Sequence, residues 1–476
     1  MNWEAVIGVE IHVRLKTQHK LFCGNRVVFG GEPNAHVCSV CMGLPGALPV
    51  LNPEAVELAL RTALALECTV HLESVWARKT YFYPDLPKGY QITQFEQPLA
   101  TEGKIDFSGS EGDAFVCIRR VHMEEDAGKL LHDKVPGATA IDLNRAGTAL
   151  VEIVTEPDFR TPGDVRSFLG ELKRTLEYVG ASDCNMEQGG LRVDANVSVR
   201  KTGSSGLGNK TEIKNVNSFS GVERALSLEI ARQISTVEAG NVVRQQTLLW
   251  DDHRAELREM RSKEESHDYR YFPEPDLPPL RISQEQVTVV LNSLPELPRD
   301  RRCRFEEVYK LTEYDAEVLT QSAATADYFE EVVGIVIDPK VAAKWVTGPL
   351  QALMNQLGED AQTVPVRPEK MAALIGLVET GAVSESAAKS VLVILAEEDG
   401  SPSDIIEARG LFQERDVHRI STWVGEVLAT HSEEVDRYRA GESKILGYLV
   451  GRVMHSSGGA ADPRIVRKLL IERLKN

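Results

Sequence analysis

The chain is 476 residues long, with 42% hydrophobic residues, 26% charged residues and a formal net charge of −17. This length exceeds what one hydrophobic core supports and predicts roughly three domains, and the composition is typical of a globular protein. The acidic balance argues against a protein coated in nucleic acid, although it is compatible with a local basic site.

Three features of the sequence bear on where the protein acts. The sequence contains no long uncharged apolar run, so we expect no membrane span. The N-terminus, Met1–Glu4, lacks the basic and apolar regions of a secretory signal. Seven cysteines are an odd number and too few for a disulfide framework in so long a chain. Together these features predict a cytoplasmic protein in a reducing setting.

The first predicted element is a strand over Val6–Leu15. Apolar side chains occupy one face at alternate positions, and the other face carries Glu10 and His12, two positions apart. A carboxylate and an imidazole that point the same way suit a divalent metal or general acid–base catalysis. The alternative is the solvent-facing side of an edge strand.

A candidate zinc site follows this strand. Cys23 precedes the C-x-x-C pair Cys38 and Cys41, a spacing typical of zinc sites. Asn25 stands where a fourth cysteine would be expected, and His36 is a candidate fourth ligand. The alternative is three reduced, partly buried cysteines without a metal. A bound zinc would have a structural role.

The stretch Lys79–Gln94 concentrates aromatic rings, two lysines, amides, a glycine and two prolines. The prolines and the glycine predict a rigid loop. Aromatic rings between ammonium groups suit a base or a ribose next to phosphates. The alternative is a proline-rich surface loop whose tyrosines pack against the protein.

An acidic run ends the next β-rich segment, Phe115–Met123. Glu124, Glu125 and Asp126 would suit Mg²⁺, which takes one or two carboxylates, or would form a solvated turn. Arg145 then follows at a predicted strand end, where it could reach a phosphate or a carboxylate or serve as a structural ion-pair partner.

Two further alternating segments predict a β-hairpin. Residues 191–200 and 210–218 each show period-two alternation and are separated by a Gly/Ser-rich turn. Asp194 lies on the polar face of the first strand, and Glu212 and Lys214 share a face of the second. The hairpin therefore repeats the polar stripe of the first strand.

Helical patterns take over after the linker Leu294–Pro298, and a second hinge is predicted at 399–404. The last 33 residues carry seven basic side chains (Lys444, Arg452, Arg464, Arg467, Lys468, Arg473 and Lys475) and two acidic ones (Asp462 and Glu472). This small basic segment is a candidate for contact with an RNA backbone. The alternative is an ordinary solvated basic face.

The motif content narrows the class of chemistry. The sequence has neither a GxxxxGK[ST] loop nor a GxGxxG before a helix, so P-loop and Rossmann nucleotide sites are excluded. Acidic strand faces that could converge on a metal and phosphates favour metal-assisted phosphoryl transfer, in which positioning and charge neutralisation supply most of the catalysis.

Several long motifs resemble the family of B subunits of the tRNA-dependent amidotransferase. They are Val9–His12, Gly43–Gly46 after the C-x-x-C pair, Tyr81–Gln91, Asn144–Gly147, Arg192–Asn196, Asp268–Asp276 and Gly447–Gly451. They run from one end of the chain to the other, and several are long and rare, so the resemblance is specific.

The resemblance implies an α+β fold with three domains. A mixed-sheet catalytic cradle would occupy residues 1–293, an all-α helical domain 294–404, and a small all-α tail domain 405–476. In the family, the cradle uses ATP and Mg²⁺ to phosphorylate the side-chain carboxylate of Glu-tRNA(Gln) or Asp-tRNA(Asn), and ammonia then displaces the phosphate. The family's amidase (glutaminase), its A subunit, supplies the ammonia from glutamine, and a small C subunit holds the two together.

The resemblance also assigns residues by role. The catalytic set is Glu10, His12, Glu125, Asp194 and Glu212, and the Mg²⁺ ligands are Glu10, His12, Glu124 and Glu125. The set that faces ATP or the acceptor end is Lys79, Tyr81, Tyr83, Asp85, Lys88, Gly89, Tyr90, Gln91, Asn144, Arg145, Arg192 and Lys214. The residues that contact the tRNA body are Lys444, Arg452, Arg464, Arg467 and Lys468.

The cysteine cluster departs from the family pattern. Many relatives have a second cysteine two positions after the first, where this chain has Asn25, so a structural Zn²⁺ on Cys23, Cys38 and Cys41 would lack its usual fourth ligand. The competing hypothesis for the whole chain is a tRNA-binding scaffold without chemistry of its own, in which the acids are salt-bridge partners.

Overall fold

The computed structural model describes residues 3–260 and 269–475, and the chain divides into two compact units, Met1–Arg299 and Asp300–Asn476. Asp268, the first residue of one family motif, lies outside the described residues, as does the charged run after Met260. Among the described residues, no helix is both long and apolar enough to cross a membrane.

Sixteen strands lie in the described part of the first unit. They are β1 Trp3–Arg14, β2 Thr69–Val70, β3 Glu73–Ser74, β4 Trp76–Thr80, β5 Tyr90–Gln94, β6 Ala100–Gly109, β7 Gly112–Glu125, β8 Lys129–Val135, β9 Ala138–Asp142, β10 Ala149–Thr155, β11 Leu191–Lys201, β12 Thr211–Val216, β13 Gln246–Asp251, β14 Glu256–Glu259, β15 Phe272–Pro273 and β16 Leu280–Arg281. Ten of them form a continuous path in the order β14-β13-β12-β11-β1-β10-β7-β5-β4-β15. In the same sheet, β6 pairs with β7, and β2 pairs with β6.

β1 lies in the middle of this sheet, which excludes the edge-strand interpretation. It pairs with β10 on one side and with β11 on the other, antiparallel in both cases. Val9, Ile11 and Val13 are fully buried, whereas Glu10 and His12 between them are half-buried. Complete burial of each large aliphatic side chain contributes about 1.5–3 kcal/mol, so the apolar face sets the register and the polar face follows from it.

The described part of the first unit also contains four helices: α1 Pro53–Ala65, α2 Pro162–Tyr178, α3 Phe219–Glu238 and α4 Gln284–Asn292. Asn52, Thr161 and Ser218 cap the first three by accepting a hydrogen bond from a backbone N–H of the first turn. α2 lies against β6 and α3 against β11, and their apolar stripes share one hydrophobic core with the buried face of β1.

The predicted hairpin is confirmed, and the predicted loop is corrected. β11 and β12 pair antiparallel, as the alternation of the two segments indicated. The loop expected over Lys79–Gln94 extends only over residues 81–89, because both ends of the stretch are strands that pair with each other. The buried side chains of β5 favour strand pairing, and this preference outweighs the tendency of the prolines and the glycine before β5 to form a loop.

The described part of the second unit is helical. It contains α5 Pro298–Tyr309, which begins at the end of the first unit, α6 Glu313–Leu319, α7 Ala323–Val333, α8 Pro339–Trp345, a π-helical turn Val346–Leu350, α9 Gln351–Leu357, α10 Pro368–Glu379, α11 Glu385–Glu397, α12 Pro402–Ala408, α13 Val417–Thr430, α14 Ser432–Arg439, α15 Ile445–Ser456 and α16 Pro463–Lys475. Two hydrophobic clusters form its core, one from Phe305 to Ile406 and one from Ile420 to Leu474. The predicted α+β class is confirmed, and the exact three-domain boundaries stay a prediction.

Candidate active site

Charged side chains gather on the polar face of five neighbouring strands, β12, β11, β1, β10 and β7. Residues paired across antiparallel strands point to the same face, so the registers define the set. Glu10 lies opposite Asp194, His12 opposite Arg192 and Glu152, Glu152 opposite His122, and Asn196 opposite Glu212. Residues from distant parts of the first unit therefore share one surface.

His12, Glu124 and Glu152 form a compact group at the centre of this face. His12 Nε2 lies 3.4 Å from Glu124 Oε1 and 3.3 Å from Glu152 Oε2. One ligand atom from each residue lies within 4.8 Å of the others. Two carboxylate oxygens and an imidazole nitrogen are a donor set for a hard divalent cation such as Mg²⁺ or Mn²⁺.

The electrostatics of this group favour an ionised carboxylate beside the imidazole. Burial lowers the pKa of His12, but the hydrogen bond with Glu152 and the charge of Glu124 outweigh it, so the pKa of His12 is raised. Burial opposes ionisation of Glu152, yet the electrostatic interaction with His122 and the hydrogen bonds with the two imidazoles hold its pKa below the usual range. A cation placed here would meet a charged Glu152.

A second cluster lies beside the first on β1, β11 and β12. Lys214 Nζ donates to Asp194 Oδ2 at 2.7 Å and lies 3.0 Å from Glu212 Oε1. Glu10 accepts a hydrogen bond of 3.1 Å from Asn196 Nδ2. Burial, reinforced by the charge of Glu152, raises the pKa of Glu10, so this carboxylate is more basic than an exposed one.

Asp126 organises the third part of the face. Its carboxylate lies 2.9 Å from Arg192 NH2 and 3.4 Å from Arg145 Nε. The charge of Asp126 raises the pKa of Arg192. Arg145 also donates to the carbonyl oxygens of Ala127 at 3.0 Å and Gly128 at 2.5 Å. These contacts fix both guanidinium groups at the border of the acidic face.

Glu125 lies apart from the central group, because adjacent strand residues point to opposite faces. Its carboxylate pairs with Lys88 and accepts a hydrogen bond from Ile92 N at 2.9 Å. Its carbonyl oxygen accepts from Gln91 Nε2 at 2.7 Å. Glu125 therefore anchors the loop of residues 81–89 to β7.

That loop presents its aromatic residues in two ways. Tyr83 is 52% exposed, and Phe82 is 80% exposed. Tyr81 packs edge-on against Tyr269 with ring centroids 6.0 Å apart, and burial raises the pKa of Tyr81. Gly89 adopts φ +76°, a left-handed conformation that favours glycine, at the turn into β5.

Other residues assigned to ATP or the acceptor end lie either in the loop of residues 81–89 or in the two strands that it connects. Lys79 Nζ lies 4.9 Å from the ring centroid of Tyr269. The ring of Tyr90 lies under the guanidinium of Arg78, with its centroid 4.1 Å away. Asp85 accepts a hydrogen bond at its carbonyl oxygen from the N–H of Gly128. These contacts connect the loop to the strand faces.

Asn144 and the cysteine cluster form a separate structural region. Asn144 accepts a hydrogen bond from His36 N and donates to Glu32 O, both at 2.8 Å. The sulfur atoms of Cys23, Cys38 and Cys41 lie within 4.8 Å of one another, and among the described residues His36 does not belong to this group. The predicted fourth ligand is thus placed elsewhere.

Lys20 is the charged neighbour of this cluster. Its ammonium group donates to His36 O at 2.9 Å and Leu143 O at 3.4 Å and lies 3.6 Å from Cys41 Sγ. The hydrogen bond from Cys23 and the charge of Lys20 lower the pKa of Cys41 to about 4. A lowered pKa favours the thiolate form of Cys41, which is the form that ligates a metal.

The basic residues of the C-terminal segment lie on α15 and α16 and just before them. Arg464 and Arg467 border one surface groove with Lys444 and another with Lys468. Arg452 is directed elsewhere, since its Nε donates to His431 Nε2 at 3.1 Å. Four of the five assigned residues therefore surround adjacent grooves.

Several residues of the site were not among the sequence-based candidates. They are Glu152, His122, Arg120 and Lys20. Glu152 was visible as a single acid inside the apolar run Leu150–Val154, and His122 as a polar residue between Val121 and Met123. An ionisable residue at the centre of a strand is the signal that would have selected them.

Comparisons with known proteins find relatives along the length of the chain. A family model described as the GatB/GatE catalytic domain matches residues 5–288, and one described as the GatB domain matches residues 327–474. The chain is similar to proteins named as B subunits of aspartyl/glutamyl-tRNA(Asn/Gln) amidotransferase. They include those of Myxococcus xanthus (46% identical, 99% of each chain), Geobacter sulfurreducens (47%, 100% of each) and Moorella thermoacetica (48%, 100% of each).

Proposed function

The chain belongs to the GatB/GatE family, and from this premise we propose that it is the B subunit of an ATP-dependent aminoacyl-tRNA amidotransferase. Its substrates would be Glu-tRNA(Gln), Asp-tRNA(Asn) or both. The observation that carries the proposal is the convergence of His12, Glu124 and Glu152, within 4.8 Å of one another, on a face bordered by fixed cationic side chains.

The proposed reaction has two steps. An oxygen of the aminoacyl side-chain carboxylate attacks the γ-phosphorus of ATP, and ADP leaves with the electron pair of the broken P–O bond. Ammonia then attacks the carbonyl carbon of the acyl phosphate, phosphate leaves with the electron pair of the C–O bond, and the nitrogen loses one proton. Positioning and charge neutralisation supply most of the catalysis in such transfers.

The central group fits a divalent cation by its donor chemistry. It offers two carboxylates, of which Glu152 has a lowered pKa, and one imidazole nitrogen at the same point of the face. We therefore propose His12, Glu124 and Glu152 as the ligands, with Glu10 and Glu125 outside the first coordination sphere. Bound Mg²⁺ would neutralise charge on the ATP phosphates.

The other charged residues would orient substrates and move a proton. Arg145 and Arg192, fixed on Asp126, would meet phosphate oxygens from one side, and Lys79 from another. Glu10, whose pKa is raised by burial, would accept the proton that nitrogen releases in the second step. Asp194, Glu212 and Lys214 would hold this part of the face in place.

The acceptor end and the tRNA body would contact different parts of the chain. Tyr83 in the loop of residues 81–89 would stack on a base or ribose, and the loop would be anchored through Lys88 and Glu125. The grooves around Arg464 and Arg467 would contact phosphates of the tRNA body. A partner amidase would supply ammonia, and a small third protein would complete the complex.

We also propose a structural zinc ion at the cysteine cluster. Three thiolates and Zn²⁺ carry one net negative charge, and the buried ammonium of Lys20 beside Cys41 would balance it. Asn25 Nδ2 lies 3.9 Å from Cys41 Sγ, and Asn25 stands where the spacing would lead one to expect a fourth cysteine. The role would be to hold the segment around Asn144.

The central experiment combines the chain with its partner proteins, misacylated tRNA, glutamine, ATP and Mg²⁺. ADP and amidated tRNA are followed for the wild-type chain, for Glu152→Gln and for Glu285→Gln, which makes the same charge change on an exposed position of α4. We expect Glu152→Gln to stop ADP formation while the partner still hydrolyses glutamine. Tight tRNA binding without ADP formation by the wild-type complex would instead establish the scaffold hypothesis.

A further inference from the structure

His122 is a buried imidazole that neither the predicted site nor the proposed reaction uses. It lies on β7 directly opposite Glu152 of β10, and it is 3% exposed. Its Nε2 lies 3.3 Å from Glu152 Oε2 and 4.0 Å from Glu124 Oε2. It therefore lies on the side of Glu152 opposite His12, close to both proposed carboxylate ligands.

The other nitrogen of this ring faces a hydrogen-bond donor. Arg120 Nε and NH2 lie 3.3 Å and 3.2 Å from His122 Nδ1. Arginine has five N–H donors and no acceptor, so Nδ1 must accept. In the neutral ring the proton then resides on Nε2, which donates to Glu152.

Arg120 is itself held in place by the backbone. It donates to Gln94 O at 3.1 Å and to Phe95 O at 3.2 Å. These two carbonyl oxygens fix the guanidinium, the guanidinium fixes the ring tautomer, and the ring N–H fixes one oxygen of Glu152. The result is a chain of directed hydrogen bonds from the sheet backbone to a proposed ligand.

We propose that His122 is a positioning residue that orients Glu152 for cation binding, with Arg120 setting its tautomer. This inference rests on the proposed metal site. His12 Nε2 also lies 3.3 Å from the same Glu152 oxygen, and it would turn its lone pair to the cation when it ligates. His122 then remains as the donor that keeps Glu152 in place, because its Nδ1 is committed to Arg120. Outer hydrogen-bond partners of this kind change metal affinity about 10–100-fold when removed.

The first test measures Mn²⁺ binding to the full-length chain by electron paramagnetic resonance of the unbound ion. The variants are His122→Leu, which removes both hydrogen bonds, and His122→Gln, which keeps an acceptor and a donor on one planar group. We expect the dissociation constant to rise about 10–100-fold for His122→Leu and to recover partly for His122→Gln. Unchanged affinity in His122→Leu, or equal loss in both variants, would overturn the proposal.

A second test reads the tautomer directly in the wild-type chain. In protein labelled with ¹⁵N-histidine, two- and three-bond ¹H–¹⁵N correlations distinguish a protonated Nε2 from a protonated Nδ1, and the His122→Gln spectrum assigns the signal. We expect Nε2–H in the wild-type chain and loss of that preference in Arg120→Met. A protonated Nδ1 in the wild-type chain would contradict the inference.

The controls separate this inference from the proposed function. Glu152→Gln is expected to abolish Mn²⁺ binding if the central group is the metal site. If the wild-type chain binds no Mn²⁺, the metal site fails and the inference fails with it. If Glu152→Gln abolishes binding and His122→Leu does not weaken it, the metal site stands and only the role of His122 is wrong.

Discussion

Lys20 and Cys41 face each other in the interior of the first unit, with the ammonium nitrogen 3.6 Å from the sulfur and Lys20 completely buried. The other two acceptors of this ammonium are backbone carbonyl oxygens. Replacing Lys20 by Met leaves the Cys41 sulfur and two carbonyl oxygens without their donor. Leaving a buried acceptor without its donor costs about 1–3 kcal/mol.

We therefore expect Lys20→Met to lower the free energy of local opening, measured by hydrogen exchange of residues 18–27 and 143–148. Lys16→Met is the matched control, since Lys16 is exposed. Equal protection in the two variants would show that the Lys20 ammonium does not stabilise this region.

The cysteine cluster yields a gain-of-affinity prediction. Asn25→Cys supplies a fourth thiolate next to Cys41, and four-coordinate tetrahedral sites are the norm for structural zinc. We expect Zn²⁺ affinity to increase by about tenfold or more, measured by competition with a chromophoric chelator. Asn209→Cys, a change of the same type at an exposed position, should leave it unchanged. No zinc binding by either the wild-type chain or Asn25→Cys would show three reduced cysteines without a metal.

Glu125 should matter through the loop that it anchors. Glu125→Ala removes the partner of Lys88 and the acceptor of the Ile92 N–H. Since misplacement of substrate-positioning groups costs rate steeply, we expect amidation to fall about 100-fold or more while the partner's glutaminase activity persists. Lys88→Met should reproduce much of the loss. Full amidation by Glu125→Ala would exclude Glu125 from the site.

The basic grooves of the C-terminal segment lead to a salt-dependence prediction. Arg464→Ala and Arg467→Ala should weaken tRNA binding and lower the slope of log affinity against log salt by roughly one for each lost phosphate contact. Lys389→Ala on α11 is the control, because it removes a surface cation that pairs with Glu385. Filter binding at several salt concentrations measures both quantities. Slopes identical to wild type in both arginine variants would place the tRNA elsewhere.

Thiol reactivity should separate the buried cysteines from the exposed one. Burial raises the pKa of Cys68 and of Cys184 to about 12, whereas Cys303 on α5 is exposed. The thiolate is the reactive form, so we expect fast alkylation of Cys303 and slow alkylation of the other two at pH 8. Mass spectrometry of the alkylated peptides measures each rate, and Cys303→Ser should remove the fast reaction. Fast alkylation of Cys68 in the folded chain would contradict its burial.

The same pKa shifts determine a pH effect on stability. The folded-state pKa of these two thiols is above the unfolded value of about 8.5, so their burial stabilises the fold fully below that pH. The contribution decreases as the pH rises from about 8.5 toward 12. Replacing both thiols by Ala should therefore reduce the loss of stability in alkali, measured by urea unfolding at pH 8 and pH 10.

Local sequence patterns predicted the elements whose signals are local. The cap at Thr161 and the apolar stripe Val165, Phe168 and Leu172 are local signals of α2, because capping and a 3.6-residue period act within one helix. The alternation of β1 predicted its polar face for the same reason. The loop over residues 79–94 was too long, because the pairing of its two ends is not local.

The sequence could not predict which residues face each other across paired strands. Glu152 meets His12 only because β10 pairs with β1 in one register, and a shift by one residue would turn it to the opposite face. That register depends on burial of the whole apolar side of the sheet. For the same reason the adjacent acids Glu124 and Glu125 separate, one toward the central group and the other toward Lys88.

The sequence by itself determined the alternating strands, the helical patterns after the linker at Leu294–Pro298, the basic C-terminal segment and, through long motifs, the family and the α+β class that the family implies. These follow from short-range periodicity and from the identity of consecutive residues. Only the tertiary structure decided that His12, Glu124 and Glu152 form one group. It also decided that His122 lies on the side of Glu152 opposite His12, and that Lys20 lies beside Cys41. Those relationships arise from strand order and register, which are set by collective burial of side chains far apart in the chain.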